Sequence, residues 1–178
     1  TYMELLEEAV AELRGAARPP VVDPEIRLPV AARLPDAYVP EVSQRLVLYK
    51  RLAGAPDEDA VEQIRGELLD RYGPLPAEAE NLLEVIRLKL LARDLAVAGV
   101  DYADGCVVVR TAAGSNVDPA RLVDLLNDRS TGVRLGEGQR ILASAPDTAA
   151  AALFARARWL LERLARPRSA SPAAAPPC

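Results

Sequence analysis

The sequence predicts an α+β fold: a helical half followed by two β-hairpins, which form a small, mainly antiparallel sheet with helices packed on one face. Three observations carry that reading. Residues 41–95 repeat their apolar side chains at helical spacing. Residues 97–111 and 133–143 switch to period two around glycine-containing turns. From about Asp147 the spacing becomes helical again.

Thr1 is not an initiator Met, and Tyr2, Leu5, Leu6, Ala9, Val10 and Leu13 already recur on one helical face. Residues 1–15 therefore read as a connecting helix cut from a larger protein, and 16–24, with three prolines, as a linker. A domain over 25–166 follows. Ile26, Leu28 and Val30 alternate as in a strand, and Pro29, with no amide to donate, sends that strand to a sheet edge. A first helix spans about Glu41 to Ala53, with Val42, Leu46, Tyr49 and Ala53 on one face and Gly54 as its stop. A second runs from about Asp57 to Tyr72, with an acidic first turn that suits the dipole and an inner face of Val61, Ile64, Leu68 and Tyr72. Gly66 interrupts it at a cost of about 1 kcal/mol relative to Ala. The third, about Pro76 to Leu95, is apolar around most of its circumference and should be covered on several sides.

Val97 to Tyr102 and Cys106 to Thr111 read as a hairpin about Ala103-Asp104-Gly105. Asp118 and Pro119 open a short helix, with Val117 and Leu122 spaced for a hydrophobic staple. Val133–Leu135 and Arg140–Ala143 flank a second turn. In the last helix Leu153, Phe154, Ala157, Leu160, Leu161 and Leu164 form the inner stripe. Residues 167–178, rich in Pro, Ala and Ser, cannot bury enough surface to order themselves.

Composition removes several functions. The 178 residues hold 22 Lys+Arg against 26 Asp+Glu, a net charge of −4, and no His. Without His there is no Ser-His-Asp or Cys-His nucleophile pair and no imidazole metal ligand. The two cysteines, Cys106 and Cys178, make neither a zinc site nor a disulfide framework, so a reducing cytoplasm is the natural setting. No G-x-x-x-x-G-K-[ST] loop is present, and no apolar run approaches the roughly 20 residues that a membrane helix needs. Nothing here calls for a metal, a cofactor or a membrane. An independent small enzyme is the least favoured reading. Net negative charge also disfavours the phosphate neutralisation on which nucleic-acid affinity depends.

Asp70-Arg71-Tyr72-Gly73-Pro74-Leu75-Pro76 carries the most information. Gly73 is a natural helix stop and Pro74 forbids continuation. Asp70, however, faces the negative end of its helix dipole and is disfavoured by about 0.3–1 kcal/mol, so a partner must compensate. That partner is either an internal arginine (Arg45, Arg51 or Arg71) or a second protein surface. Glu67, three residues earlier, shares its face and makes a two-pronged acceptor for guanidinium groups. In the first helix Arg45, Tyr49 and Leu52 share a face, with Lys50 and Arg51 pointing elsewhere. The alternatives there are an interface and a core tyrosine among solvated cations. Residues 156–178 hold five Arg and one Glu, a net +4 set against −8 for the rest, which admits a nucleic-acid contact or simply the wet face of a helix.

Arg45-x-x-x-Tyr49-Lys50-Arg51-Leu52, then Asp70-Arg71-Tyr72-Gly73-Pro74-Leu75-Pro76, then Asn81-Leu82-Leu83 resemble the carboxy-terminal (TRCF) domain of bacterial transcription-repair coupling factors. The likeness is good over residues 1–128 and looser over 129–165, with Tyr72 where Phe is usual. Tyr2 to Val10 resembles the helix that leaves the motor of those proteins. The resemblance implies a parent that is an ATP- and Mg-dependent DNA translocase, acting on RNA polymerase stalled at lesions and recruiting UvrA. The motor and its nucleic-acid contacts would lie outside this chain. It further implies that this domain is a non-catalytic autoinhibitory clasp, docked on an Arg-rich, UvrB-like module and hiding its UvrA-binding surface. Glu67, Asp70, Arg71, Arg45, Tyr49 and Arg51 are the candidate contact residues. The alternative is a nucleic-acid-binding appendage using the Arg-bearing last helix.

Overall fold

A computed structural model describes residues 23–166. The expected connecting helix 1–15, nearly all of the linker and the 167–178 tail lie outside the described residues. In chain order the elements are β1 (Glu25–Arg27), α1 (Val42–Ala53), α2 (Glu58–Tyr72), α3 (Ala77–Asp94), β2 (Gly99–Ala103), β3 (Cys106–Arg110), α4 (Pro119–Asn127), β4 (Val133–Gly136), β5 (Arg140–Ser144) and α5 (Ala150–Leu164).

The five strands form one mixed sheet in the order β1-β2-β3-β5-β4. The two hairpins, β2–β3 and β4–β5, join through an antiparallel β3–β5 pair in which Val108 faces Leu142. β1 adds in parallel to β2 at the edge, with Ile26 opposite Val100. Pro29 falls outside it, so the expected alternation over Ile26, Leu28 and Val30 yields a strand of only three residues. Gly99 makes this edge possible, because a Cβ there would lie 2.5 Å from the Glu25 carbonyl oxygen and would strike the Arg110 guanidinium. Arg110 lies across that glycine and ion-pairs with Asp101 at 2.6 Å.

Two apolar clusters share α3. In the helical half Leu52, Val61, Ile64 and Leu68 pack with Ala79, Leu82, Leu83 and Leu90 of α3. In the sheet half Leu88 and Ala92 of the same helix pack with Val107, Val109 and Ile141 of the sheet and with Leu153, Phe154, Leu160 and Leu164 of α5. The all-round apolar character of α3 is thus used from two sides. Asp57 and Asp118 accept hydrogen bonds from the amides of Ala60 (2.8 Å) and Ala120 (3.0 Å) and cap α2 and α4.

One face differs from its expectation. Of the face expected over Val42, Leu46, Tyr49 and Ala53, only Tyr49 packs inward, half-buried against the helical-half cluster; Val42, Leu46 and Ala53 are exposed, and Leu48 and Leu52 turn in. The cause lies in the sequence of α1, which has apolar residues in several helical rows. Its own periodicity therefore does not select one, and α2 and α3 choose the row that fits their groove.

Candidate functional site

The site expected from sequence is the corner where the end of α1 meets the end of α2. Tyr38, from the loop before α1, builds it: its hydroxyl donates to the carbonyls of Leu68 (3.1 Å) and Gly73 (2.8 Å). Its ring lies 5.7 Å from that of Tyr72, tilted. Burial pushes the Tyr38 phenol above its ordinary range. Gly73 follows with φ 87° and ψ −168°, a conformation open essentially to glycine alone. The last turn of α2 is therefore pinned, and the residues upon it are presented rigidly.

Arg45 and Tyr49 serve that same loop. Arg45 Nη1 donates to the carbonyls of Val39 (2.7 Å) and Pro40 (3.1 Å), and the Tyr49 hydroxyl accepts from the Leu34 amide at 2.7 Å. Their shared face, read from spacing, exists and points toward residues 34–40. Arg51 points to α2 instead and forks onto Glu67, with Nη1 to Oε2 at 2.6 Å and Nη2 to Oε1 at 2.8 Å. The fork holds the Glu67 carboxyl below the usual carboxylate range.

Asp70 is exposed and makes no ion pair among the described residues. The internal pair with Arg45, Arg51 or Arg71 does not form: Arg51 is spent on Glu67, Arg45 on backbone carbonyls, and the Arg71 guanidinium lies 5.6 Å from the centre of the Tyr72 ring. The structure thus separates the two prongs, Glu67 already neutralised and Asp70 without an ion pair among the described residues.

Along α5 the arginines divide. Arg158 ion-pairs with Glu58 (2.5 Å), and Arg156 donates to the carbonyls of Ser144 (2.9 Å) and Thr131 (2.5 Å). Arg156 and Arg163 lie 4.5 and 5.8 Å from the centre of the Trp159 ring, beside an open polar cleft of about 420 Å³ that Asp124 and Asp128 also line. Two of the basic residues singled out in the sequence are therefore occupied in holding the domain together. Among the described residues there is no group of three potential metal ligands, and no helix is long and apolar enough to cross a membrane.

Sequence reasoning missed Tyr38 as the clamp on α2, and only the distance between residues that are far apart in the chain exposes it. It also missed that Val42, Leu46 and Val47 of α1 are exposed.

Comparison with known proteins decides the family. The family model for the TRCF domain matches residues 28–122. The chain belongs to the TRCF domain family. The TRCF match is supported by a Myxococcus xanthus transcription-repair-coupling factor, 41% identical over 83% of this chain and 12% of the relative. An Escherichia coli relative of the same name is 37% identical over 79% of the chain and 13% of its own length. In three dimensions the chain superposes on a crystal structure of the C-terminal domain of a transcription-repair coupling factor with TM-score 0.64 and 21% identity, covering 80% of this chain and 94% of that one. This likeness extends the TRCF assignment to the fold. The chain spans about an eighth of its curated relatives, and what it matches is their C-terminal domain rather than an ATPase motor.

Proposed function

We propose that this TRCF domain is a non-catalytic regulatory clasp within a transcription-repair coupling factor. On this reading its α1–α2 corner docks on the UvrB-like module of the same protein, masks UvrA binding and restrains the motor until RNA polymerase engages. ATP, Mg and DNA belong to the parent's motor and not to this domain. The observation that carries the reading is Asp70, a carboxylate at the disfavoured end of a helix, exposed and without an ion-pair partner among the described residues. Such a group adds nothing to the domain's own stability, and its natural partner is a guanidinium on another surface.

The magnitudes are adequate. An intramolecular contact works at an effective concentration of order mM. With micromolar intrinsic affinity the closed form is favoured by about 1,000-fold, or roughly 4 kcal/mol. The test is a calorimetric titration of this chain into the Myxococcus xanthus coupling factor lacking its own C-terminal domain. Asp70→Ala with Glu67→Ala should leave the thermal transition in place and weaken binding at least 10-fold. Undiminished affinity would defeat the residue assignment. The alternative reading, a nucleic-acid appendage, draws support from Arg163 beside Trp159 on the cleft. A gel shift that weakens steeply with salt would favour it.

A further inference from the structure

β4 closes one end of the sheet, and among the described residues no strand pairs with its outer side. The ladder fixes which backbone groups face that side. The Ser144 amide donates to the Gly132 carbonyl at 3.0 Å, so the even residues of β5 serve β4. The Ala145 amide donates to the Gly105 carbonyl at 2.8 Å, so the odd ones serve β3. Antiparallel pairs alternate, and Arg134 and Gly136 therefore bond to β5 while Val133 and Leu135 turn their amides and carbonyls outward. The Val133 amide takes the Thr131 hydroxyl at 3.2 Å. Leu135 keeps both of its groups open among the described residues, and its side chain is 57% exposed.

The two faces beside this edge differ in chemistry. Leu135 lies opposite Ile141, on the face that the helices cover, yet belongs to neither core cluster. On the opposite face Arg110 stands directly across from Arg140, and Arg134 sits one pair further along on β4. Like charges directly opposite destabilise a strand pair. Asp101 answers Arg110 at 2.6 Å. Arg140 has no ion pair among the described residues, and Arg134 meets the Cys106 sulfur at 3.7 Å, a weak acceptor.

We propose that the β4 edge takes up an extended acidic segment of another protein as a sixth strand, its carboxylates alternating with apolar residues. Main-chain bonds to Leu135 attach the segment, and the alternation selects it. An added strand lies about 5 Å from β4 and about 10 Å from β5, within the joint reach of an Arg and a Glu side chain. Its carboxylates then meet Arg134 and Arg140, and its apolar residues cover Leu135. Other occupants fit less well. A second copy of this chain brings another Arg134 to the seam, like against like. A phosphate chain has no proton to donate to the Leu135 carbonyl. The surface uses none of the residues of the α1–α2 corner, so it stands or falls apart from the clasp.

The probe is a capped decapeptide of alternating Glu and Val, titrated into the ¹⁵N-labelled chain, with the Lys/Val counterpart as its control. The acidic peptide should move the amide signals of Val133 to Gly136, and the basic one should not. Leu135→Pro removes the outward amide and spares the β5 ladder, and should lower affinity at least about 10-fold. Arg134→Gln/Arg140→Gln tests the charge without touching the backbone and should cost about 2- to 25-fold, the worth of two exposed pairs. Circular dichroism verifies that both variants are folded, and if the proline variant is not, the glutamine variant carries the test. No shift at millimolar acidic peptide, equal binding of the basic peptide, or unchanged affinity of the folded variants overturns the inference. Tighter binding of a ten-residue oligothymidylate at the same amides overturns it in favour of nucleic acid. A dimer in sedimentation equilibrium that Leu135→Pro dissolves overturns it in favour of a second copy.

Discussion

Arg51 and Glu67 illustrate how one residue governs what another can offer. The fork occupies both carboxylate oxygens, so a partner guanidinium must displace Arg51 before it can grip Glu67 in the same way. Arg51→Gln is therefore expected to tighten binding to the coupling factor, by up to about 5-fold given the small worth of exposed pairs. Weaker binding would mean that Arg51 orients the carboxylate rather than occupying it. The same substitution has a sign in pH. Because the fork lowers the Glu67 pKa, its contribution is present above the ordinary carboxylate range and is lost as pH falls through the folded value. In Arg51→Gln the carboxyl should titrate higher, back toward the ordinary carboxylate range, which carbon-detected NMR of Glu67 would register.

Two glycines in and after α2 make opposite predictions at the scale of the element. Gly66 has no atom within 4 Å of the position a Cβ would take, and its helix runs unbroken from Glu58 to Tyr72. Gly66→Ala should therefore stabilise the domain by about 0.5–1 kcal/mol, raising the melting temperature by roughly 1–4 °C. Gly73 holds φ 87° and ψ −168°, and Gly73→Ala should cost about 1–3 kcal/mol and loosen the turn that presents Asp70. Differential scanning calorimetry separates the two. The glycine stop, the acidic start and the inner face of Val61, Ile64 and Leu68 were all legible in the sequence, because helix ends and burial of a single apolar row are local facts. The orientation of α1 was not, since several of its rows are apolar and only neighbouring helices choose between them.

For the whole molecule the decisive feature is α3, which serves both apolar clusters. Leu88 is 2% exposed in the sheet-side cluster, and Leu88→Ala should cost about 2–5 kcal/mol. Because the helix is common to both halves, that loss should lower the transition of each. Fluorescence of Trp159 on α5 reports the sheet half and far-ultraviolet dichroism the helices, and their melting curves should stay coincident. Separate transitions would show that α3 does not couple the two clusters.

By itself the sequence determined the element order, the two hairpins, the caps and the carboxylates of the α2 terminus, because each depends on neighbours within a few residues. Tertiary structure alone decided that Tyr38 clamps α2, that Arg51 answers Glu67 rather than Asp70, and that Leu46 and Val47 face outward. Those outcomes depend on which surfaces meet across 16 to 35 residues of chain. Local periodicity carries no record of that distance, and close packing between helices settles it.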